Sequence, residues 1–154
     1  MVNEMEKISK FSVIADCDIA EDAIIRDHVN LYKCKIGHKT KIDSFVYIEE
    51  GVSIGENCKI RPFTFIPAGV TIGNNVFIGP NVTFTNDKYP RIGTDWKLLK
   101  TTIYDRVSIG AGSVILPGVE IGEGSLIGSG STVIKSVPPN SVVVGEMRFI
   151  AKKF

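Results

Sequence analysis

Aliphatic residues recur every six positions along most of this chain. The series runs Ile36, Ile42, Ile48, Ile54, Ile60, Ile66, Ile72 and Ile78, with Phe84 in the next slot. It resumes at Ile103, Ile109, Ile115, Ile121, Ile127 and Val133. An earlier stretch, Val13, Ile19, Ile25 and Leu31, keeps the step and then loses one residue before Ile36. Four residues after the marked positions stand small or β-branched residues, among them Thr40, Val46, Cys58, Thr64, Val107, Ser113, Ser125 and Val137. Such residues suit a tight interior corner. Polar pairs such as Glu56-Asn57 and Asn74-Asn75 lie between the slots, where a turn meets water.

A period of six is neither the 3.6 of a helix nor the simple alternation of a flat strand. It predicts a coil of three short strands joined by tight turns, so that residues eighteen apart stack: Ile36 on Ile54 on Ile72, and Ile42 on Ile60 on Ile78. Each coil then pairs only with its neighbours around one aliphatic column. Composition agrees, with 21 Ile and 16 Val against 5 Leu and 6 Ala. β-Branched residues pack well on pleated surfaces, whereas helical domains draw on Leu and Ala, so the fold is expected to be all-β. One domain is expected over 1–154, with repeat coils from about 13 to 144 and a short tail over 145–154.

Charge and cysteines narrow the function classes. Eighteen Lys and Arg against 17 Asp and Glu leave no basic excess to neutralise phosphates, which argues against nucleic acid as a partner. The charged start Met1–Lys7 lacks a signal-peptide core, and no run of about 18 apolar residues exists to span a bilayer. A cytoplasmic protein without membrane insertion is expected. Cys17 and Cys58 fall four residues after Val13 and Ile54, and Cys34 two before Ile36, so all three read as small core residues.

The period stops from Thr85 to Thr101. Phe84 and Ile103 lie nineteen positions apart, and Ile103 and Ile121 are expected to continue the column of Ile36, Ile54 and Ile72. The interruption carries Trp96, the sole tryptophan, and Tyr89. Loops longer than about 12–15 residues in compact domains are usually functional or disordered, and the aromatic content favours function. An arm over 85–101, leaving one corner of the prism, is therefore expected.

These repeats resemble the hexapeptide-repeat family, which implies a left-handed parallel β-helix, a hexapeptide-repeat solenoid with one extended loop. Phe84-Thr85-Asn86-Asp87-Lys88-Tyr89-Pro90-Arg91 resembles a motif of acetyltransferases that modify nucleotide-linked 3-amino sugars for bacterial surface polysaccharides. Ser108–Val119 is similar to the coils where those enzymes bind acetyl-CoA, and Val137–Gly145 to their closing coil. After Gly145 the family's usual Asn-Pro-Ala is replaced by Glu146-Met147-Arg148.

The resemblance implies an N-acetyltransferase using acetyl-CoA on a dTDP- or UDP-linked amino sugar, working as a homotrimer with sites between adjacent prisms. It assigns the sugar to Asn86, whose amide both donates and accepts, with no side-chain base. Asp87 would accept from the amine or a hydroxyl, Tyr89 stack on a ring, and Arg91 pair with the diphosphate. Each of these also has a plain reading: a turn residue, a solvated carboxylate, or a contact pinning the arm. Gly110, Ala111, Gly128 and Ser129 would let a pantetheine arm lie against the backbone, with Lys135 near the phosphates. The repeat's own turns explain the glycines almost as well. An N–H between Gly110 and Gly112 would stabilise the oxyanion.

His28 and His38 are the only histidines, read as solvated turn residues. They fall short of the three-histidine metal set of γ-class carbonic anhydrases, so no metal is expected. The alternatives are O-acetylation of a sugar or of serine, which normally calls for a base, or a non-catalytic assembly module.

Overall fold

The computed structural model describes residues 11–93 and 95–146, and the backbone of 148–150. Twenty-one strands of two or three residues wind around a triangular prism, and there is no helix among the described residues. Three parallel sheets form its faces. Face A runs from Val13–Ala15 through Tyr47–Ile48 and Thr83–Phe84 to Thr132–Val133. Face B runs from Asp18–Ile19 to Glu120–Ile121, and face C from Ile24–Ile25 to Val142–Val144. The chain visits A, B and C in turn, making the left-handed β-helix implied above.

The register is the one the period predicts. Ile36 pairs with Ile54 and Ile54 with Ile72, while Ile42 pairs with Ile60 and Ile60 with Ile78. These isoleucines are buried, and so are the corner residues from Thr40 to Val137. Buried hydroxyls are satisfied across and within coils: Thr40 Oγ1 donates to Gly55 O of the next coil at 2.7 Å, and Ser131 Oγ to Gly128 O of its own coil at 2.7 Å. Among the described residues polar side chains therefore fit the interior without a buried atom left unpaired.

The first coil departs from the expected phase. Ile14, not Val13, pairs with the buried Leu31, and Val13 is 59% exposed. The corners after both coils are one residue short and turn through left-handed residues, Asp16 (φ 54°) and Lys33 (φ 43°). Two steps of five at the same corner one coil apart, Ile14 to Ile19 and Leu31 to Ile36, disguise this phase in the sequence. Cys34 and Cys58 are buried as expected, whereas Cys17 in the terminal coil is only half-buried.

The interruption leaves the corner between faces A and B. Ile72 pairs with Ile103 and Phe84 stacks over Ile115. Those pairs lie 31 positions apart instead of eighteen, so thirteen residues are added to one corner while the column continues unbroken. Beyond Val142–Val144 the chain reverses after Gly145 (φ 62°), and Arg148–Ile150 pairs antiparallel along the edge of face C. The replaced tail thus begins as an edge-covering strand. Met147 and 151–154 lie outside the described residues.

Candidate active site on two corners of the prism

Both ends of the arm are fastened. The N–H of Thr85 donates to Ile115 O at 2.9 Å, and that of Thr101 to Gly69 O at 3.0 Å. Leu98 packs over Gly69 and Leu99 over Gly118, which puts the returning limb back on its own corner. Trp96 Nε1–H donates to the carbonyl oxygen of Asn86 at 3.2 Å, tying the two limbs together. Trp96 is therefore an anchor for the arm.

Between the limbs lies a pocket of about 510 Å³, lined by Asp87, Lys88, Tyr89, Arg91, Asp95, Trp96, Lys97 and Leu99. Three expected substrate residues, Asp87, Tyr89 and Arg91, meet here. Lys88, Asp95 and Lys97 line the same pocket, and sequence reasoning passed over them because isolated loop charges carry no periodic signal. Asn86 is half-buried at the base of the arm, and its side-chain amide makes no hydrogen bond among the described residues. Asp87 Oδ1 accepts the Tyr89 N–H at 2.9 Å, so this carboxylate shapes its own turn. A depression of similar size, about 520 Å³, lies among Tyr104, Glu120, Ser136 and Pro138. It contains none of the expected site residues, and the arm pocket is the better candidate on chemistry.

The expected coenzyme residues sit elsewhere. Gly110, Ala111, Gly128 and Ser129 form the corner between faces C and A, at the opposite end of face A from Asn86. Six residues separate these corners, so the gap is roughly 15–20 Å at about 3.3 Å per residue. Lys135 alone shares the corner of the arm. It occupies the Asn86 slot two coils on, roughly 10 Å along the axis at about 4.8 Å per coil.

Among Gly110, Ala111 and Gly112 the N–H groups are not equivalent. Gly110 N donates to Ile127 O at 2.7 Å and Gly112 N to Pro80 O at 2.9 Å. The Ala111 N–H has no hydrogen-bond partner among the described residues, and neither has the Ser129 N–H in the next coil. Pro62 and Pro80 hold the same slot in earlier coils and offer no N–H at all. Gly110 is needed for packing whatever binds there: a Cβ would lie 2.4 Å from Ser129 N.

Both histidines lie outside this constellation. His28 is stacked between Phe11 (5.4 Å between centroids) and Phe45 (5.0 Å). His38 Nδ1 lies 2.9 Å from Asp22 Oδ1, on the corner between faces B and C. The Lys39 N–H and His38 hold the exposed Asp22 carboxyl below its usual range. No group of three or more His, Cys, Asp or Glu stands together as a metal site among the described residues.

The profile of the bacterial transferase hexapeptide family, six repeats, matches residues 33–68, 54–86 and 100–135. The matches cover more than half of the chain and stop on either side of the arm. The chain belongs to the bacterial transferase hexapeptide family. Galactoside O-acetyltransferase from Lactococcus lactis is 38% identical over 84 residues, 51% of this chain and 40% of that protein. The chain thus spans less than half the length of such curated relatives. Among solved structures, AntD, an N-acyltransferase from Bacillus cereus, is 27% identical with a TM-score of 0.71, covering 98% of this chain and 89% of that one. That structure, of a mutant, holds dTDP-4-amino-4,6-dideoxyglucose and coenzyme A. PerB from Caulobacter crescentus, in complex with CoA and GDP-perosamine, covers 92% of this chain and 59% of that one at a TM-score of 0.60. At 16% identity it shares the fold alone.

Proposed function

We propose that the protein is an acetyl-CoA-dependent N-acetyltransferase acting on a nucleotide-linked amino sugar, assembled as a homotrimer. The observation that carries this reading is the arm pocket, which gathers Asp87, Tyr89, Arg91 and Trp96 and holds no histidine. An amine at its neutral pH fraction is nucleophilic without help, whereas a hydroxyl needs a base. The near full-length likeness to AntD, which binds a dTDP-linked 4-amino sugar and coenzyme A, supports the substrate class.

In this reading Asn86 orients the sugar, with Trp96 holding its backbone in place. Arg91, Lys88 and Lys97 face the diphosphate, and an aromatic ring of Tyr89 or Trp96 takes the base. Bound acetyl-CoA supplies the activated acyl group. The Ala111 and Ser129 N–H groups hold its amide or thioester oxygens, and Lys135 meets its phosphates. Positioning supplies much of the rate, since effective molarities reach roughly 10⁵–10⁸ M. The amine proton leaves to the departing sulfur or to water.

The two-corner layout is the reason for assembly. An acyl group held at Ala111 and Ser129 lies one prism side from Asn86 of the same chain, and a neighbour's arm closes the distance. The surface supports this. Nine of fifteen exposed large apolar residues among the described residues lie on the C/A corner or on faces A and C, including Phe11, Phe45, Phe63, Tyr47 and Phe77. The outward positions of face B, from Asp18 and Lys35 to Glu120, are all polar. Such a distribution marks an association surface.

The O-acetyl reading draws on the galactoside O-acetyltransferase likeness. The deciding experiment offers acetyl-CoA with dTDP- and UDP-linked 3-amino and 4-amino sugars, galactosides and serine, and follows thiol release. N-acetylation of one amino sugar is expected; turnover of galactoside or serine alone would overturn the proposal.

A further inference from the structure

The first two coils place two thiols against each other. Cys34 Sγ lies 3.5 Å from Cys17 Sγ, and both cysteines are free. Their backbones are held side by side from both ends: the Lys33 N–H donates to Ala15 O at 2.9 Å and the Asp18 N–H to Cys34 O at 2.9 Å. Neighbouring strands lie about 4.8 Å apart, within the roughly 4.4–6.8 Å between Cα atoms that a disulfide spans. A disulfide would bring the sulfurs from 3.5 Å to about 2.05 Å. Cys58 makes the contrast. It is buried on another corner, against Glu56 O and Gly73 O, with no sulfur beside it.

We propose that Cys17 and Cys34 are a dithiol modification site, oxidised by a peroxide to an intrachain disulfide that fastens the terminal coil to the second. Cys17 reacts first. It is half-buried, whereas burial and the neighbouring Cys17 thiol push the Cys34 thiol up to about 12, suppressing its thiolate. The Cys17 sulfur attacks the peroxide, the O–O bond breaks, and water or an alcohol leaves, giving a sulfenic acid. The Cys34 sulfur then attacks the Cys17 sulfur, the S–O bond breaks, and hydroxide departs with the Cys34 proton as water. Two thiols lose two electrons in all and one peroxide gains them.

The consequence follows from the end of a solenoid. Among the described residues an inner coil has two neighbours and the first coil has one. Ile14, Cys17, Ile19 and Ile25 are accordingly only partly buried, where the isoleucines of inner coils are closed off. A covalent link between coils one and two restrains opening from that end, where these side chains are only partly buried.

The test treats the whole protein with hydrogen peroxide at neutral pH, then unfolds it and alkylates with iodoacetamide. The intact mass is expected to fall by two hydrogens, with only Cys58 alkylated and a Cys17–Cys34 linked peptide recovered. The Tm is expected to rise by roughly 5 °C, reversibly with dithiothreitol. Cys17→Ser and Cys17→Ala should each abolish the link, whereas Cys58→Ser should keep it. Three alkylatable thiols after peroxide, a link between chains, or a Cys17 sulfinic acid without a link would each overturn the proposal.

Discussion

A ladder of aromatic rings on the C/A corner tests two opposed forces. Phe11, His28, Phe45 and Phe63 stack at centroid distances of 5.4, 5.0 and 5.0 Å, the last pair only 3° from parallel. Yet His28, Phe45 and Phe63 all sit at φ near +60° (61°, 62° and 62°), where bulky side chains are unfavourable. The next coils fill the slot with Asn81 and Gly112, which tolerate that backbone. Consider Phe45→Asn. Relief of the left-handed strain favours the variant by roughly 1–2 kcal/mol. Against it, Phe45 is 50% exposed, so about half of a roughly 200 Å² side chain leaves water on folding, near 2.5 kcal/mol at 25 cal/mol per Å². Two ring contacts add about 0.5–1.5 kcal/mol each. Stacking wins by about 2–4 kcal/mol, which lowers Tm by roughly 5–15 °C in a chain of this size. Phe63→Asn loses one stacked partner instead of two and should fall less. Scanning calorimetry or thermal denaturation by circular dichroism reads both. A Phe45→Asn protein with unchanged or raised Tm would refute the reasoning, because strain would then outweigh the ladder.

Three further outcomes are expected. Asn86→Ala should lower kcat/KM for the accepted sugar nucleotide by about 10–100-fold, the loss of two positioning hydrogen bonds, while His38→Ala leaves it unchanged. Gly110→Ala should lose about 1–3 kcal/mol in denaturant unfolding, because its Cβ would meet Ser129 N at 2.4 Å; full stability would mean that the coils part more easily than their packing implies. Deleting 87–99, the thirteen added residues, should keep Tm within a few degrees and coenzyme A binding by calorimetry, but remove sugar turnover. Collapse of the fold on that deletion would show that the arm supports the prism.

The prism was legible because its chemistry is repeated. Ile36, Ile54 and Ile72 announce one another, and an error at one slot is corrected by the next. The first coil was misread for the same reason: with one neighbour and two shortened corners, Val13 and Ile14 offer no later slot to decide between them. Asn86, Asp87, Tyr89 and Arg91 were found as a group from a motif, and three of them do line one pocket. The Trp96 bond to the Asn86 carbonyl was not visible, since a side chain reaching a backbone oxygen ten residues away leaves no pattern. Nor was the difference among the N–H groups of Gly110, Ala111 and Gly112, which depends on which carbonyl each meets in a neighbouring coil.

The same regularity explains why the site is split. A solenoid coil returns to register whatever leaves its corner, because Phe84 still finds Ile115 and Ile72 still finds Ile103 with thirteen extra residues between them. Thirteen residues can therefore be added at the A/B corner without disturbing the aliphatic column. The rule also fixes what the addition can reach: an arm pinned at Thr85 and Thr101 stays at its own corner, with Leu98 over Gly69 and Leu99 over Gly118. The N–H groups of Ala111 and Ser129, without a partner among the described residues, are the property of a different corner, set by turns that the column requires. Rigid corners would hold each half of the proposed site accurately and keep one chain from bringing the halves together. Under the proposed function association completes the chemistry, and a variant that stays folded but monomeric should bind coenzyme A and fail to transfer from it.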